Sequence, residues 1–411
     1  MSTVVRLMCT STQTFPCLST FAHLLPTMRF LHTADWHLGR LLHGVHLTDD
    51  QAYLLDQFLT LVHDVRPDAV IVAGDIYDRA VPPKEAVALL NDVLQQLVVD
   101  LDVPVIMNAG NHDSAERLHF GSAILENQGL HIYARPGRET EPVVLHDAHG
   151  PVHVYPLPYA EPAEMRQVAP DEEITTHDDI VRVQTARARA GHRPNARAIA
   201  VAHIFAQGGD LSDTERPLSV GGSEQVAAAH FDGFDYVALG HLHRRQKVGA
   251  SHIRYSGSLM KYSFNEVAHE KSVYLVEMDA DGVCTVETIP LTPRRDLRKI
   301  EGTLDEVLIG PKPGESADDY LWVDLKEEGP VLDAMNKIRR VYPNTLHIQR
   351  PRAEVSRTIR GLEEEGGSLK SDAEIFELFF EHVTGADGLS DEQRTTLSEA
   401  LDAIRTEARD A

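Results

Sequence analysis

The sequence predicts an α/β protein: a four-layer αββα sandwich with a small α+β capping domain and C-terminal helices. Two observations predict the sandwich. Apolar segments of strand length alternate with amphipathic helices through the first half of the chain, which is typical of layered α/β cores. Several of those strands are followed at once by Asp, Asn or His, and open α/β sheets place their sites at the carboxyl ends of strands.

The first predicted elements are a strand, a helix and a second strand. Met28 to Leu31 is a short apolar strand, and Thr48 with the two acids after it marks the start of a helix. Residues 69–73 form a continuous β-rich run, as expected for a strand buried on both faces. A helix over residues 84–97 and a buried strand over 103–109 continue the alternation.

The later elements predict a second sheet. A strand over 152–157 and another over 198–202 flank a helix that runs from Thr176 to Ala190. Residues 236–240 form a further buried strand. Three alternating segments are predicted to close this second sheet: His252–Ser256, Ser272–Met278 and Val283–Leu291.

Changes in composition divide the chain into five parts. Residues 1–27 lack core-forming periodicity, and we expect a disordered extension or a start codon assigned too early. The sandwich is predicted over 28–293 and the capping domain over 294–350. An acidic, Gly-containing linker over 351–371 precedes C-terminal helices over 372–411.

Composition and charge exclude several classes of protein. The 411 residues are 42% hydrophobic and 25% charged, as in ordinary globular proteins. No apolar run approaches the ~20 residues of a membrane span, so no integral membrane protein is expected. Three Cys are too few for a disulfide framework, which favours a reducing, cytoplasmic setting. The net charge of −24 argues against a basic surface along the whole chain but is compatible with a local basic groove.

The residues after the strand ends are of metal-binding type. Carboxylate, imidazole and amide ligands without thiolate suit Mn, Fe or Zn better than Ca or Mg. Seven ligands are too many for one cation with an open position, whereas two cations that share Asp75 receive four each. Paired metals can activate a water and hold phosphoryl oxygens, and His112 suits an acid or an electrostatic stabiliser. The candidate ligands are Asp35, His37, Asp75, Asn111, His203, His241 and His243.

Four motifs resemble the signature of the calcineurin-like metallophosphoesterases. They are His32-Thr33-Ala34-Asp35-Trp36-His37-Leu38-Gly39, Gly74-Asp75-Ile76-Tyr77-Asp78, Gly110-Asn111-His112-Asp113 and Gly240-His241-Leu242-His243. More narrowly, the chain from Met28 onward resembles the bacterial SbcD nuclease family, in which Tyr255-Ser256-Gly257-Ser258 is a further feature.

The SbcD resemblance implies a role for each candidate residue. One metal would be held by Asp35, His37, Asp75 and His243. The other would be held by Asp75, Asn111, His203 and His241. His112 would be the catalytic histidine, and Asp78 is left without a role.

The same resemblance implies a DNA nuclease subunit that uses two divalent metal ions, with Mn²⁺ as the expected metal. It implies ATP-dependent processing of double-stranded ends and hairpins, by exonuclease and single-strand endonuclease activity, in DNA repair, recombination and replication. The implied partner is an SbcC-like coiled-coil ATPase, and the implied assembly is a homodimer within a heterotetramer. One alternative is a phosphoesterase for small phosphodiesters or phosphoproteins, which would not need the segment after residue 294. The other is a non-catalytic scaffold, which the intact ligand set disfavours.

Two further groups of side chains are candidates for contacts with partners. Basic residues near the His pair are candidates for phosphate contacts with DNA, the alternative being a solvated rim. They are Arg244, Arg245, Lys247, Arg254 and Lys261. Near the C-terminus, Phe376, Phe379 and Phe380 lie on a broad apolar helical face and are candidates for docking the ATPase. The alternative there is a helical hairpin folded onto its own domain.

Overall fold

The computed structural model describes residues 27–210, 225–327, 331–350, 373–374, 376–377, 380 and 388–410. The expectations for residues 1–26, for the linker over 351–371 and for Phe379 lie outside these described residues. The chain divides into two compact units. The first unit comprises residues 1–40, 46–260 and 269–292. The second comprises residues 41–45, 261–268 and 293–411.

The strands of the described residues are numbered along the chain. They are β1 Met28–Thr33, β2 Leu41–Leu42, β3 Val45–His46, β4 Ala69–Ala73, β5 Val105–Asn108, β6 Leu130–Tyr133, β7 Val143–Asp147, β8 Gly150–Leu157, β9 Arg197–His203, β10 Phe205–Ala206, β11 Gln225–Val226, β12 Tyr236–Gly240, β13 Gln246–Lys247, β14 Ile253–Tyr255, β15 Ser272–Met278, β16 Cys284–Pro290, β17 Leu297–Gly302, β18 Tyr320–Leu325 and β19 Thr345–Gln349.

The helices are numbered in the same way. They are α1 Thr48–Val65, α2 Lys84–Gln95, α3 Ala115–His119, α4 Ser122–Leu125, α5 Pro162–Val168, α6 His177–Gly191, α7 Leu304–Leu308 and α8 Ala334–Arg339. A π-helical turn, Gln96–Asp100, continues α2. Short 3₁₀ turns lie at Glu126–Gln128, Ala228–Phe231 and Phe264–Glu266.

Helix boundaries follow local signals in the sequence. In α6, Thr176 is the N-cap, and its hydroxyl accepts a hydrogen bond from the Asp179 amide while the Asp179 side chain bonds back. This capping box satisfies amide groups that have no partner within the helix, as the sequence predicts. In α1 the first turn carries Asp49 and Asp50, and Arg66 ends the helix in a left-handed conformation. Acids in a first turn interact favourably with the helix dipole.

The first sheet has six strands in the order β16-β15-β1-β4-β5-β6. Strands β1, β4, β5 and β6 run parallel, whereas β15 pairs antiparallel with β1 and β16 pairs antiparallel with β15. The prediction that residues 272–278 and 283–291 close the second sheet is therefore wrong. Strand β15 is buried on both faces, and the alternation in its sequence does not identify which sheet the strand will join.

The second sheet has the order β13-β14-β12-β9-β8-β7, with a parallel core from β14 to β8. Both sheets contribute to one buried cluster, which includes Phe30 and Ile71 from the first and Ile199 and Ala238 from the second. Helix α6 adds Val181 and Ala188 to a separate cluster with Ala200 and Val237, on strands of the second sheet. Two facing sheets with helices outside them confirm the predicted αββα sandwich.

The second unit has its own sheet and core. Strands β17, β18 and β19 are parallel, and buried side chains from β18 and α8 share one cluster. Residues 41–45 and 261–268 also belong to this unit. The His43 ring lies 5.7 Å from Phe264, 6.1 Å from Trp322 and 5.7 Å from His347, measured between ring centroids. Both segments lie within the range predicted for the sandwich, residues 28–293, and the unit with which they pack is decided by tertiary contacts.

Near the C-terminus, residues 373, 374, 376, 377 and 380 are helical, and a longer helix spans Asp391–Asp410. The Phe376 side chain is 42% exposed. Within the described residues, no helix is both long enough and apolar enough to cross a membrane.

His32 is a fully buried histidine that joins the two sheets of the first unit. Its Nε2 lies 3.2 Å from the Leu239 carbonyl oxygen and its Nδ1 lies 3.0 Å from the Tyr236 hydroxyl. Because a carbonyl can only accept, Nε2 carries the proton and Tyr236 donates to Nδ1. Burial lowers the pKa of His32 to about 3. Folding therefore requires the neutral imidazole.

We expect His32 to make stability fall as the pH drops from 7 to 5. The unfolded chain binds a proton at its usual pKa of ~6.5, whereas the folded chain does not until the pH nears 3. The contribution of neutral His32 to the free energy of unfolding is therefore fully present above pH 6.5, and about 2 kcal/mol of this contribution is lost at pH 5. Urea unfolding at both pH values measures this loss, and His32→Gln should remove most of it. His63 is exposed, so His63→Gln is the control and should keep the wild-type pH dependence of stability. If His32→Gln showed the same pH dependence as this control, the neutral-histidine assignment would be wrong.

Candidate metal centre

Five strand ends in the first unit bring seven polar side chains to one edge of the sandwich. In the first sheet, β1 leads into Asp35 and His37, β4 into Asp75, and β5 into Asn111. In the second sheet, β9 ends in His203, and β12 leads into His241 and His243. Parallel strands direct their carboxyl ends to the same edge, which explains why residues so far apart in the chain converge.

The loop after β1 is held by hydrogen bonds to the loop after β4 and to helix α1. The Asp35 amide donates to the Gly74 carbonyl at 3.1 Å, and the His37 amide donates to the Asp75 carbonyl at 2.9 Å. The buried Gln51 side chain donates to the His37 carbonyl at 2.8 Å. Gln51 was not predicted to act at this site, because in the sequence it is one polar residue on an amphipathic helix.

Four of the candidate ligands have positive φ angles. These are Asp35 at 53°, His37 at 44°, Asp75 at 48° and His241 at 102°. Residues with side chains rarely adopt this region, and each such residue costs about 1–3 kcal/mol and persists only where its surroundings hold it there. Strain of this kind is concentrated at functional sites, and here it coincides with the residues that the motifs single out.

One group of donors consists of Asp35, His37, Asp75 and His243. The Nε2 atoms of His37 and His243 lie 3.1 Å apart, and His37 Nε2 lies 3.6 Å from Asp75 Oδ2. Ligand atoms of Asp35, His37 and His243 lie within 4.8 Å of one another. Asp35 Oδ2 is buried and has no hydrogen-bond partner among the described residues. Because a buried polar atom without a partner is costly, this oxygen fits a cation ligand.

The other group consists of Asp75, Asn111, His203 and His241. His203 Nε2 lies 3.0 Å from Asn111 Oδ1 and 3.3 Å from Asp75 Oδ2, and His241 Nδ1 lies 3.3 Å from Asn111 Oδ1. His203 Nδ1 donates to the Ala73 carbonyl at 3.0 Å, which directs Nε2 to the shared centre. Asp75 Oδ2 is thus close to donors of both groups.

The electrostatics of these buried side chains favour a cation. Burial raises the pKa of Asp35 to about 6, and the nearby Asp75 carboxylate adds to the rise. Burial also opposes ionisation of Asp75, but His203 holds the pKa of Asp75 well below its usual range. Conversely, burial lowers the pKa of His203, but Asp75 raises it to about 9 overall. Both carboxyl groups thus lie buried beside imidazole rings, and this set of oxygen and imidazole donors fits divalent metal ions.

Comparison with known families decides the identity. The family model for calcineurin-like phosphoesterases matches residues 28–245. The chain belongs to this family. A second model, for the SbcD C-terminal domain, described as the type 5 capsule protein repressor C-terminal domain, matches residues 293–384. The two matches confirm that this phosphoesterase is an SbcD-type member, and the second match extends beyond the predicted linker.

Two solved structures are similar to this phosphoesterase. One is TT1561 of Thermus thermophilus, 16% identical, with a TM-score of 0.37, covering 64% of this chain and 99% of that one. The other is a dimetal phosphatase from Danio rerio, 14% identical, with a TM-score of 0.38, covering 64% of this chain and 96% of that one.

His112 lies beside the two donor groups of this phosphoesterase, and its ligand atom lies within 4.8 Å of those of His37 and Asp75. Its amide donates to Asp75 Oδ1 at 2.9 Å, and its ring Nε2 lies 4.0 Å from Asp75 Oδ2. Its Nδ1 donates to the Asp78 carbonyl at 2.8 Å, which orients Nε2 toward the centre. Asp78, to which the resemblance gives no role, therefore contacts His112 through its carbonyl, while its carboxylate pairs with Arg40 at 2.7 Å.

Asp113 is a second residue that sequence analysis missed. Its carboxylate accepts hydrogen bonds from the amides of Gly110 at 3.0 Å, Tyr77 at 2.9 Å and Ile76 at 3.1 Å. It therefore fastens the Asp75 loop to the Asn111 loop. A Cβ on Gly110 would clash with Asp75 Oδ1, so this close approach requires glycine. The only signal in the sequence was the Asp at the end of the Gly-Asn-His-Asp motif.

Four of the five candidate DNA-contacting side chains make contacts within their own units. Arg244 pairs with Asp210 at 3.5 Å, and Arg245 pairs with Glu270 at 3.4 Å. Arg254 lies over the Tyr274 ring at 5.6 Å. In the second unit Lys261 pairs with Asp296 at 2.8 Å. Lys247 lies exposed on β13. The pairs of Arg244 and Arg245 are solvent-exposed, and such pairs are weak, so they do not prevent phosphate contacts.

Proposed function

We propose that this SbcD-type phosphoesterase is a metal-dependent DNA nuclease that hydrolyses phosphodiester bonds at a centre of two metal ions, with Mn²⁺ as the metal. The observation that carries the proposal is the match of residues 293–384 to an SbcD C-terminal domain, in a chain whose phosphoesterase region presents both donor groups. A phosphoesterase fold alone is compatible with many substrates. The match of residues 293–384 to the SbcD C-terminal domain is the observation that favours DNA as the substrate.

We assign Asp35, His37, Asp75 and His243 to one metal. We assign Asp75, Asn111, His203 and His241 to the other. The contact of Asp75 Oδ2 with donors of both groups, 3.6 Å from His37 Nε2 and 3.3 Å from His203 Nε2, supports its role as the bridge. When bound, paired metals supply an activated water and stabilise charge on the phosphoryl oxygens.

The protein itself contributes to the reaction by fixing the positions of the metal ligands and by supplying a proton to the leaving group. The ligand loops are fixed by backbone hydrogen bonds and by Gln51 and Asp113, so the donors need little rearrangement. His112 is oriented by the Asp78 carbonyl and presents Nε2 to the centre. We assign it to donate a proton from Nε2 to the departing oxygen, or to stabilise the charge that develops there.

The partners proposed are DNA and an SbcC-like coiled-coil ATPase. In this proposal the protein acts as a homodimer within a heterotetramer, and the ATPase makes processing of ends, hairpins and single strands ATP-dependent. The capping domain over 294–350 would help to position DNA. Residues 372–411, with Phe376 exposed, would dock the ATPase.

The substrate class is tested by comparing DNA with a small diester. Wild-type protein with Mn²⁺ should cleave an end-labelled duplex and a hairpin, and addition of the ATPase with ATP should increase duplex cleavage. EDTA should stop both reactions. Bis(p-nitrophenyl) phosphate reports whether the centre is intact independently of DNA. Protein that hydrolyses this small diester in Mn²⁺ but leaves every DNA substrate uncut would contradict the nuclease proposal and favour a small-substrate phosphoesterase.

Truncation after Gly367 should leave a folded, metal-loaded enzyme that no longer joins its ATPase. Gly367 lies in the segment that the sequence predicts to be a linker, where truncation is best tolerated, and the removed part carries Phe376, Phe379 and Phe380. Co-purification with the SbcC-like ATPase measures docking, and thermal melting measures folding. The full-length double variant Phe376→Ala/Phe380→Ala is the matched control that keeps the chain length. Truncated protein that still co-purifies with the ATPase would contradict the docking role.

A further inference from the structure

The stretch Tyr255–Ser258 contacts three of the loops that carry candidate metal ligands. The Tyr255 hydroxyl accepts from the Ala206 amide at 2.9 Å and donates to the Ile204 carbonyl at 2.9 Å, just after His203. Ser258 pairs with Ala34, next to Asp35, and its amide donates to the His243 carbonyl at 3.2 Å. These contacts are part of neither donor group, so their function is separate from coordination.

Gly257 lies where this stretch meets the His243 loop most closely. Its φ is +80°, and an added Cβ would lie 2.8 Å from the His243 carbonyl oxygen and 2.9 Å from the Arg245 amide nitrogen. Only glycine satisfies both conditions. The backbone of the stretch is therefore packed directly against the backbone of the His243 loop.

Lys271 completes this contact from a buried position. Lys271 is only 8% exposed. Its Nζ donates hydrogen bonds to the His243 carbonyl at 2.9 Å and to Ser258 Oγ at 2.7 Å. Ser258 Oγ in turn donates to the Met260 carbonyl at 2.8 Å. The His243 carbonyl thus accepts from both the Lys271 ammonium and the Ser258 amide. Two donors on one carbonyl fix the peptide group that carries this histidine.

The charge of Lys271 indicates a functional reason for its position. Burying an ammonium group is costly, and a neutral side chain could fill the same space at lower cost. A positive charge close to a metal centre also opposes cation binding. An ammonium donor makes a stronger hydrogen bond to a carbonyl than a neutral donor does. Lys271 can therefore fix the orientation of the His243 loop more firmly than a neutral side chain could.

We propose that Lys271, together with Ser258, is a positioning residue that holds His243 in the geometry required to bind metal. The proposal rests on the proposed function, since it takes His243 as a ligand of the metal shared with Asp35 and His37. It predicts a selective effect. Loss of Lys271 should weaken the metal site that contains His243 and leave the site of His203 and His241 near its original affinity.

Titration of the metal-free protein with Mn²⁺ by calorimetry tests this proposal. Lys271→Met should weaken one of the two binding steps by about 10–100-fold, the range typical of residues that orient metal ligands. Lys84→Met removes an equal charge from an exposed position on α2 and should bind both ions like the wild type. Ser258→Ala should weaken the same step as Lys271→Met, by a smaller factor, and it serves as the test if Lys271→Met does not fold.

A double-mutant cycle separates positioning from general stability. In a His243→Gln background one Mn²⁺ site remains, and adding Lys271→Met should change its affinity by less than about twofold, because the two residues act on one site. A larger change there would show that Lys271 supports the whole fold and would overturn the proposal. So would Lys271→Met protein that binds two Mn²⁺ ions normally. If His243→Gln itself keeps both binding steps, the site assignment under the proposed function fails instead.

Discussion

Asp75→Ala should lose both metal ions together and reduce phosphodiester hydrolysis by on the order of 10³-fold or more. Asp75 Oδ2 is 3.6 Å from His37 Nε2 and 3.3 Å from His203 Nε2, so in the proposed site its removal would take one ligand from each cation. The same carboxylate accepts the His112 amide through Oδ1, so the variant also releases the Asn111–His112 loop. Elemental analysis of dialysed protein measures the metal content.

Asn111→Ala is the matched variant for the Asp75 experiment. Asn111 Oδ1 contacts His203 and His241, which belong to one donor group only. This variant should therefore lose a single metal ion. Asp92→Ala, on the exposed face of α2, should keep both ions. Retention of two tightly bound ions by Asp75→Ala would show that the bridge assignment is wrong.

His112→Ala should slow catalysis by about 10²–10⁴-fold while metal content and DNA affinity remain near those of the wild type. His112 Nε2 lies 4.0 Å from Asp75 Oδ2, and the ring is oriented by the Asp78 carbonyl, so it is close to the centre without being needed to complete a donor group. Rates on DNA at saturating substrate, with DNA affinity and bound metal measured separately, distinguish a loss of chemistry from a loss of binding.

The leaving group then identifies what His112 does. A p-nitrophenolate departs without a proton, so His112→Ala should impair bis(p-nitrophenyl) phosphate hydrolysis much less than DNA cleavage if His112 is a general acid. An equal loss on both substrates would assign it to electrostatic stabilisation instead. A variant that cleaves DNA at the normal rate would remove His112 from the mechanism altogether.

The strand ends show how much of the fold the sequence predicts. The sandwich and the SbcD-type family are confirmed. They could be predicted because buried parallel strands are continuous apolar runs, and five of the strands lead into the candidate ligands. Helix α6 matches its capping signals to within a residue. The predicted ligands come together in the structure, while their roles as metal ligands stay predictions that the experiments above test.

What the sequence could not show depends on contacts between distant segments. Strand β15 pairs with β1, although nearly the whole length of the domain separates them in the sequence. The alternation of apolar and polar residues in β15 is equally compatible with either sheet. Gln51 and Asp113 act through backbone amides and carbonyls of other loops, which leave no pattern of residue types. The positive φ angles at Asp35 and His37 are likewise imposed by surrounding structure, since neither residue type requires them.

The most direct test of the central claim is anomalous X-ray diffraction from crystals of the protein soaked in Mn²⁺. The account predicts two anomalous peaks about 3.5–4 Å apart, as in other two-metal sites, with the Asp75 carboxylate between them. One peak should contact Asp35, His37 and His243, and the other should contact Asn111, His203 and His241. A single peak, or two peaks that do not share Asp75, would contradict it.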